Sequence, residues 1–166
     1  IGRYLELKGV QDLWAAFLEL SDEFPEWELH CIGTGELWDS RTIHPKIIHH
    51  GFKQPHELTP HLVDAACFVM PSKKEPWGVV LHEMTIAGLP IIAPSRVGST
   101  TAYLRDGVNG WSCDESSLRD VLKQFMTTPA NQIQQMGNHS HQLGTQNTIE
   151  HWVKTLFNLI APKRQE

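Results

Sequence analysis

Apolar positions along the chain follow two alternating patterns. Short apolar runs that end at glycine or proline are typical of buried β-strands, and the segments between them carry apolar residues at helical spacing. The pattern predicts strands at residues 27–32, 47–50, 67–70, 90–93 and 110–113. It predicts helices at residues 10–24, 55–66, 79–87, 100–104 and 118–126, and residues 131–146 and 148–160 are expected to form one or two helices outside the sheet, the second segment being amphipathic. We expect Ser116 or Asp114 to cap the helix that begins at Leu118.

The order of these elements indicates the fold class. Strands that are apolar throughout and alternate with helices form a parallel sheet that helices cover on both faces. We therefore predict an α/β fold built on a doubly wound parallel sheet. Sheets of this kind bind ligands at the carboxyl ends of their strands. The loops at those ends lie at residues 2–3, 33–35, 51–52, 72–78 and 95–100.

Composition narrows the class of protein. The 166 residues carry a net charge of -5 and a pI near 6.0, which argues against a general nucleic-acid binder. The chain has no apolar run of about 18 residues, so we predict no membrane-spanning helix. The three cysteines lie far apart and indicate reduced thiols in a cytoplasmic protein. The ten histidines form no HExxH motif, and we expect no metal site.

The segment around the helix at 79–87 carries the richest chemistry. Glu75 lies in the loop before this helix, and Glu83 lies about one and a half turns into it. The backbone N–H groups at the helix start, those of Gly78, Val79 and Val80, form an anion site. Two carboxylates beside an anion site suit neutral hydroxyl groups next to phosphates, such as those of a sugar and a ribose.

Two cations near the first loop complete this set. Arg3 and Lys8 precede the helix that starts near Gly9, and a diphosphate requires such neutralisation. Taken alone, each of these charged residues is better explained as a solvated surface charge than as a site residue. Together, at the carboxyl edge of one sheet, they favour a site for a phosphorylated ligand.

Short motifs in a fixed order resemble those of a known family. They are Gly2-Arg3 with Lys8-Gly9, Ile32 to Gly35, His50-Gly51-Phe52, Pro71-Ser72, Glu75 to Gly78 with Glu83, Ala87 to Pro90, and Asp106 to Gly110. The sequence resembles the C-terminal, donor-binding domain of retaining GT-B glycosyltransferases in glycosyltransferase family 4, also called glycosyl transferases group 1. The resemblance spans residues 1 to about 113. It implies a Rossmann-like domain that is one half of a GT-B fold.

The resemblance implies a role for each matching residue. Arg3, Lys8 and Glu75 are the expected catalytic residues: the two cations bind the donor diphosphate and stabilise charge on the leaving nucleotide, and Glu75 orients the donor sugar. Glu83 is expected to bind the ribose hydroxyls. The other expected nucleotide-sugar contacts are Gly2, Gly33, Gly51, Phe52, Gly78, Val79 and Val80, with Gly51 and Phe52 beside the base. The donor is expected to be a UDP- or GDP-sugar, used without a metal or another cofactor.

The resemblance also implies a domain organisation. Residues 1–128 are expected to form the nucleotide-sugar-binding domain, with its first strand truncated because Gly2-Arg3 reads as the loop after that strand. Residues 129–166 are expected to form helices that pack on this domain or on an N-terminal domain missing from the chain. The amphipathic helix at 148–160 is expected to cross back onto that missing domain.

The missing domain is expected to supply most of the acceptor site. The isolated chain should therefore bind nucleotide weakly and transfer no sugar. The expected partners are a nucleotide sugar and a glycan or lipid-linked acceptor, with no nucleic acid. The full-length enzyme is expected to act in polysaccharide biosynthesis in the cytoplasm, with peripheral attachment to the inner face of the membrane left open.

Two other functions stay open. One is the nucleotide-sugar epimerase half of the same architecture, although Arg3, Lys8 and the carboxylate pair argue against it. The other is a non-catalytic donor-binding subunit of a split transferase, which would pair with a separate acceptor-binding subunit. A nucleotide titration separates any ligand-binding domain from an inert scaffold.

Overall fold

Short strands and helices follow one another in the computed structural model, which describes residues 1–146 and 149–160. The strands are β1 (Leu29–Cys31), β2 (Ile47–His49), β3 (Phe68–Val69), β4 (Ile91–Pro94) and β5 (Gly110–Cys113). The helices are α1 (Val10–Leu18), α2 (Thr59–Val63), α3 (Val79–Ile86), α4 (Thr100–Tyr103), α5 (Leu118–Met126), α6 (Ala130–Gly144) and α7 (Ile149–Ile160). Two 3₁₀ turns, Glu6–Lys8 and Pro55–Glu57, precede α1 and α2.

All strand pairings among the described residues are parallel, as the α/β prediction requires. β1 pairs with β2, and a second sheet has the order β3-β4-β5. The one sheet expected from the sequence is thus present in two parts. A cavity of about 860 Å³ separates the facing edges of β1 and β3.

β4 forms the centre of the hydrophobic core. All its residues are buried, and successive side chains point to opposite faces of the sheet. Ile91 and Ala93 pack with α3 and α4, whereas Ile92 packs with α1 and α5. Helices therefore cover β4 on both faces, as its continuous apolar run predicts.

Helix α1 links the two sheets on one face. Leu13 belongs to the cluster that surrounds Ile92, whereas Trp14 packs with Cys31 and Ile47 of the first sheet. The Trp14 Nε1–H also donates a hydrogen bond to Cys31 Sγ at 3.4 Å. The two parts of the sheet are therefore held in place by a shared helix rather than by strand pairing.

Helix α6 packs along α3 because glycines let the two backbones approach closely. A Cβ on Gly137 would lie 2.5 Å from the Gly88 carbonyl oxygen, and a Cβ on Gly144 would lie 2.7 Å from the Ile86 nitrogen. Such distances are too short for any side chain, so both positions of α6 require glycine. α6 therefore packs directly against α3.

Helix α7 carries exposed apolar side chains. Val153, Leu156 and Phe157 are exposed, and their spacing places them on one face of the helix. The expected first residue of this helix, Thr148, and residues 161–166 lie outside the described residues. The assignment of residues 129–166 to a separate helical unit stays a prediction.

Two predicted helices differ from the structure by several residues. The helix expected at 10–24 ends at Leu18, whose carbonyl accepts a hydrogen bond from the Ser21 hydroxyl at 2.9 Å. Local hydroxyl bonds of this kind compete with helical ones. The helix expected at 55–66 is divided into a 3₁₀ turn and α2, because Pro60 has no N–H to continue the helical bonding.

The predicted cap of α5 is wrong. The N-cap residue is Ser117, not Ser116 or Asp114. The Asp114 carboxylate accepts hydrogen bonds from the Ser116 hydroxyl at 2.7 Å and the Ser117 N–H at 2.8 Å, so it closes the turn before the helix. These hydrogen bonds, with that of the Ser116 hydroxyl the strongest, lower the pKa of Asp114 to about 2.

Candidate functional site

The first loop lies across the carboxyl ends of β1 and β2. The Gly2 N–H donates to the Ile32 carbonyl at 2.9 Å, and the Gly33 N–H donates to the Gly51 carbonyl at 2.7 Å. Gly33 has a φ of 137°, and a Cβ there would collide with the Gly2 carbonyl oxygen. Only glycine fits at this crossing. The structure therefore brings Gly2, Gly33 and Gly51 together.

An ion pair joins the first loop to the loop that follows β3. The Lys8 ammonium donates to a Glu75 carboxylate oxygen, and the Glu75 side chain is only 15% exposed. The Leu7 carbonyl accepts hydrogen bonds from the N–H groups of Lys73 at 3.0 Å and Lys74 at 3.2 Å. The two loops are thus fixed to each other without any ligand.

Helix α3 begins beside this ion pair. Its N-cap residue, Gly78, is buried and has the left-handed φ of 88°. A Cβ on Gly78 would lie 3.1 Å from Glu75 Cγ. Among the described residues, the N–H groups of Gly78, Val79 and Val80 have no hydrogen-bond acceptor. Free N–H groups at a helix start attract anions, since the helix dipole also favours negative charge there.

Three expected site residues stand apart from this group. Arg3 is exposed on the first loop, and Glu83 is exposed on α3. Phe52, which follows β2, is 65% exposed. In residues 1–146 and 149–160, none of the three side chains makes a hydrogen bond or ion pair with Lys8 or Glu75. Each of the three side chains is exposed to solvent.

Aromatic side chains pack against Tyr4 of the first loop. The Tyr4 ring centroid lies 5.5 Å from the ring centroids of both Trp14 and Trp38. Burial raises the pKa of Tyr4, so its neutral hydroxyl can donate to His49 Nδ1 at 2.9 Å. His49 Nε2 lies 2.8 Å from the Thr42 carbonyl, to which it donates in that tautomer. The loop that carries Arg3 is therefore held in place by packed aromatic side chains.

Sequence reasoning did not single out Arg96, a further cation at this edge. Its Nε donates to the carbonyl of the buried Ser72 at 3.3 Å, and its guanidinium pairs with Glu115 at 3.0 Å. Arg96 thus fixes the loop after β3 to the loop after β4. Its position directly after a buried strand was the signal that could have found it.

The cysteines offer no reactive thiolate. All three are free, and burial raises the pKa of Cys67 to about 12 and that of Cys113 to about 11. Among the described residues, no group of three or more histidine, cysteine, aspartate or glutamate side chains could hold a metal ion. The charged and polar groups that this edge presents are its cations, carboxylates and backbone N–H groups.

Comparison with known proteins gives the family. Residues 1–145 match the glycosyl transferases group 1 family. The chain belongs to this family. The match covers most of the chain and includes both loops and the start of α3, so the resemblance seen in the sequence motifs is confirmed.

Two curated glycosyltransferases are similar in sequence. An uncharacterized glycosyltransferase of Haemophilus influenzae is 20% identical over 163 residues, which cover 92% of this chain and 46% of the relative. A D-inositol 3-phosphate glycosyltransferase of Arthrobacter sp. is 29% identical over 143 residues, which cover 78% of this chain and 34% of the relative. The chain therefore spans less than half the length of either of these glycosyltransferases.

A solved structure confirms the fold class. The crystal structure of the pneumococcal O-GlcNAc transferase GtfA, in complex with UDP and GlcNAc, superimposes with a TM-score of 0.76. It is 21% identical, and the match covers 96% of this chain and 35% of GtfA. The group 1 glycosyltransferase chain thus has the expected Rossmann-like α/β fold, one half of a GT-B architecture. Within its described residues, no helix has the length and apolar character needed to cross a membrane.

Proposed function

We propose that this chain is the donor-binding part of a glycosyltransferase and holds a nucleotide diphosphate sugar at the carboxyl edge of its sheets. The Lys8–Glu75 ion pair beside the start of α3 carries this proposal. It brings a cation, a carboxylate and free backbone N–H groups to one place, and a sugar diphosphate offers a partner to each. The UDP and GlcNAc bound to the pneumococcal GtfA support this ligand class.

The diphosphate would lie between the first loop and the start of α3. The N–H groups of α3 would donate to phosphate oxygens, and Arg3 and Lys8 would supply positive charge. Without ligand, Glu75 neutralises Lys8. A diphosphate carries more negative charge than one carboxylate and would compete for Lys8. Binding would then exchange one ion pair for another and release Glu75.

The released Glu75 carboxylate would accept hydrogen bonds from the donor sugar hydroxyls. On the nucleoside side, the exposed Glu83 would accept hydrogen bonds from the ribose hydroxyls. The exposed Phe52 ring, beside Gly51, would stack on the base. The two carboxylates would therefore recognise neutral groups on either side of the diphosphate, and the cations would recognise the diphosphate itself.

The same cations would lower the barrier to transfer. When the bond from the anomeric carbon to the diphosphate breaks, negative charge develops on the leaving nucleotide. Fixed cations placed at that charge stabilise the transition state. We propose a hexose as the sugar, transferred with retention, and UDP or GDP as the leaving nucleotide. The proposal includes no metal and no further cofactor.

The acceptor would bind outside this chain. The chain spans less than half of the two curated relatives, so the rest of a longer protein would provide the acceptor pocket. We propose a glycan or lipid-linked acceptor and a cytoplasmic enzyme that can work at the inner face of a membrane. The isolated chain would bind nucleotide without transferring sugar. A turnover assay in which the purified 166-residue chain transfers sugar would overturn this last point.

Thermal unfolding with nucleotides tests the donor site. UDP, GDP, ADP and dTDP are each added at rising concentration. A ligand at 100 times its dissociation constant adds about 2.7 kcal/mol to the free energy of unfolding, which raises Tm by roughly 5–10 °C for a domain of this size. UDP or GDP should give the largest increase. An unchanged Tm with all four nucleotides at millimolar concentration would contradict the proposal.

Matched variants separate the parts of the site. Lys8→Met should weaken both pyrophosphate and nucleotide binding by about tenfold or more, because a charge-assisted bond is lost. Glu83→Gln should weaken nucleotide binding and leave pyrophosphate binding unchanged. Lys123→Met is the control, because Lys123 forms a surface ion pair with Glu23 away from the site. Equal nucleotide affinity in all three variants would contradict the roles assigned to Lys8 and Glu83.

A further inference from the structure

His82 is a half-buried histidine in the middle of α3, directly before Glu83 in the sequence. The donor site proposed above does not include it. Successive residues of an α-helix lie about 100° apart around its axis, so the two side chains point in different directions. Glu83 lies on the exposed side of α3, whereas His82 lies on the side that faces the neighbouring helices.

One face of the His82 ring stacks on an aromatic side chain of α4. The ring centroids of His82 and Tyr103 are 4.0 Å apart, and the two ring planes differ by only 8°. Tyr103 is itself buried and belongs to the hydrophobic cluster that surrounds Ile91. Because close-packed interiors leave little free space, this stack restricts the movement of the His82 ring.

The edge of the same ring contacts the end of α6. His82 Nε2 lies 2.9 Å from the Gly144 carbonyl oxygen, to which it donates a hydrogen bond in that tautomer. Gly144 is the last residue of α6, and the final carbonyls of a helix have no acceptor role within that helix. The hydrogen bond therefore satisfies a helix end, and His82 joins α3 to both α4 and α6.

The start of α3 is fixed by a separate set of contacts. The Ser99 hydroxyl donates to the Gly78 carbonyl at 3.2 Å, and the Ser99 N–H donates to the Trp77 carbonyl at 2.9 Å. Ser99 is the N-cap residue of α4 and Tyr103 is its last residue, so α4 contacts α3 at two points along the axis of α3. A helix that is held only at its start can still turn about its axis, and the His82 contacts prevent this turn.

We propose that His82 is a positioning residue of the donor site. Its stack on Tyr103 and its hydrogen bond to Gly144 fix the rotation of α3, which directs the Glu83 carboxylate toward the ribose hydroxyls. Any rotation that turns Glu83 away breaks both contacts. His82 does not touch the ligand and acts through Glu83, so this inference rests on the proposed role of Glu83 in nucleotide binding.

Matched variants separate positioning from general stability. His82→Phe keeps a ring on Tyr103 but loses the hydrogen bond to Gly144, and His82→Leu loses both contacts. His141→Leu is the control, because His141 Nδ1 lies 2.6 Å from the Ile86 carbonyl and also joins α6 to α3, but at the far end of α3. Calorimetry measures the affinities for UDP, GDP and pyrophosphate, at a temperature at which circular dichroism shows each variant to be folded.

His82→Leu should weaken binding of the preferred nucleotide by about three- to tenfold, which corresponds to the loss of one hydrogen bond from Glu83. Pyrophosphate binding should stay unchanged, because it depends on Lys8 and on the start of α3. His82→Phe should have a smaller effect, since the ring stack remains. His141→Leu should lower Tm without changing either affinity. An equal loss of nucleotide affinity in His141→Leu, or an equal loss of pyrophosphate affinity in His82→Leu, would overturn the positioning role.

A double-mutant cycle tests whether His82 acts through Glu83. Glu83→Gln should weaken nucleotide binding less in the His82→Leu background than in the unmodified chain, because Glu83 is already misplaced there. If His82→Leu does not fold, the cycle is measured with His82→Phe. Fully additive losses, or unchanged nucleotide affinity in the His82 variants, would overturn the positioning role and leave the donor site intact. Absence of nucleotide binding by the unmodified chain would overturn the proposed function, and the positioning role with it.

Discussion

The two sheets consist of similar short strands, but they differ in how they are covered. β4 of the second sheet is buried on both faces, with Ile91 and Ile92 at 0% exposure. In the first sheet only one face is buried, through Cys31 and Ile47, while His30 on the other face is exposed. The second sheet is therefore the rigid support, and the first sheet is a more open partner.

The polar groups of the two regions differ in the same way. Beside the second sheet, the fully buried Asn109 makes three side-chain hydrogen bonds. Beside the first sheet, His30 and His50 stack at a centroid distance of 5.1 Å in contact with solvent. The candidate site draws on both regions, because Gly33 and Gly51 end the first sheet and Glu75 follows β3. A rigid element thus positions the carboxylate and helix start, while a more open element carries Gly33 and Gly51.

The largest effect should come from truncation at the centre of the second sheet. Ile91→Ala removes a side chain packed on all sides and should lower the free energy of unfolding by about 2–5 kcal/mol. Leu29→Ala should lower it by only about 1 kcal/mol, because that side chain already borders the cavity between β1 and β3. Urea unfolding measures both. Equal losses would show that the two sheets are packed equally well.

Removal of the buried polar network should have the next largest effect. Asn109→Ala removes the hydrogen bonds from Arg105 N–H to Oδ1 at 2.7 Å and from Nδ2 to the Ser140 hydroxyl at 3.0 Å. Loss of buried hydrogen bonds should reduce the free energy of unfolding by about 2–4 kcal/mol. Asn138→Ala, at an exposed position of α6, is the control and should stay within about 0.5 kcal/mol of the unmodified chain. A similar small change in both variants would contradict the role of the network.

The sequence predicts β4 better than β1 for a physical reason. β4 is shifted by only one residue from its predicted bounds, because a strand buried on both faces is apolar at every position. β1 is shorter than its predicted run 27–32, since one face of that strand is open. The ends of α1 and α2 depend on single local groups, such as the Ser21 hydroxyl, which apolar periodicity does not reveal.

The candidate site, too, can be predicted from the sequence only in part. The helix start at Gly78 follows from local sequence, because a glycine before a helical pattern in a loop after a strand indicates an anion site. The Lys8–Glu75 pair joins residues far apart in the sequence, and no local pattern predicts which cation meets which carboxylate. The cavity between β1 and β3 is a further case, since it depends on how the two sheets are placed relative to each other in space.

A smaller effect should come from the glycine at the end of β1. Gly33→Ala should lower the free energy of unfolding by about 1–3 kcal/mol, because the new Cβ would collide with the Gly2 carbonyl. It should also weaken nucleotide binding by displacing the first loop. Gly107→Ala has a left-handed φ of 73° but nothing within 4 Å of its Cβ, so it should cost only about 1 kcal/mol. Equal nucleotide affinity in both variants would show that Gly33 does not contribute to the nucleotide site.

The smallest effect should be a pH dependence confined to the first sheet. Burial, followed by the positive charges of His61, His30, Lys53 and His49, lowers the pKa of His50 below its ordinary value. A histidine with a lowered pKa is held neutral by the fold, so the unfolded chain binds its proton more readily.

The stabilisation from neutral His50 is therefore complete above pH of about 6.5, the ordinary histidine pKa, and is lost as pH falls through the lower pKa of the folded protein. Hydrogen exchange, corrected for its intrinsic pH dependence, should show weaker protection of β1 and β2 at pH 5 than at pH 7.5, with a smaller change in β4. His50→Gln should remove the part of this difference that His50 contributes. An equal loss of protection in β4 would mean that protonation acts on the whole domain, and the two sheets would then not differ in this respect.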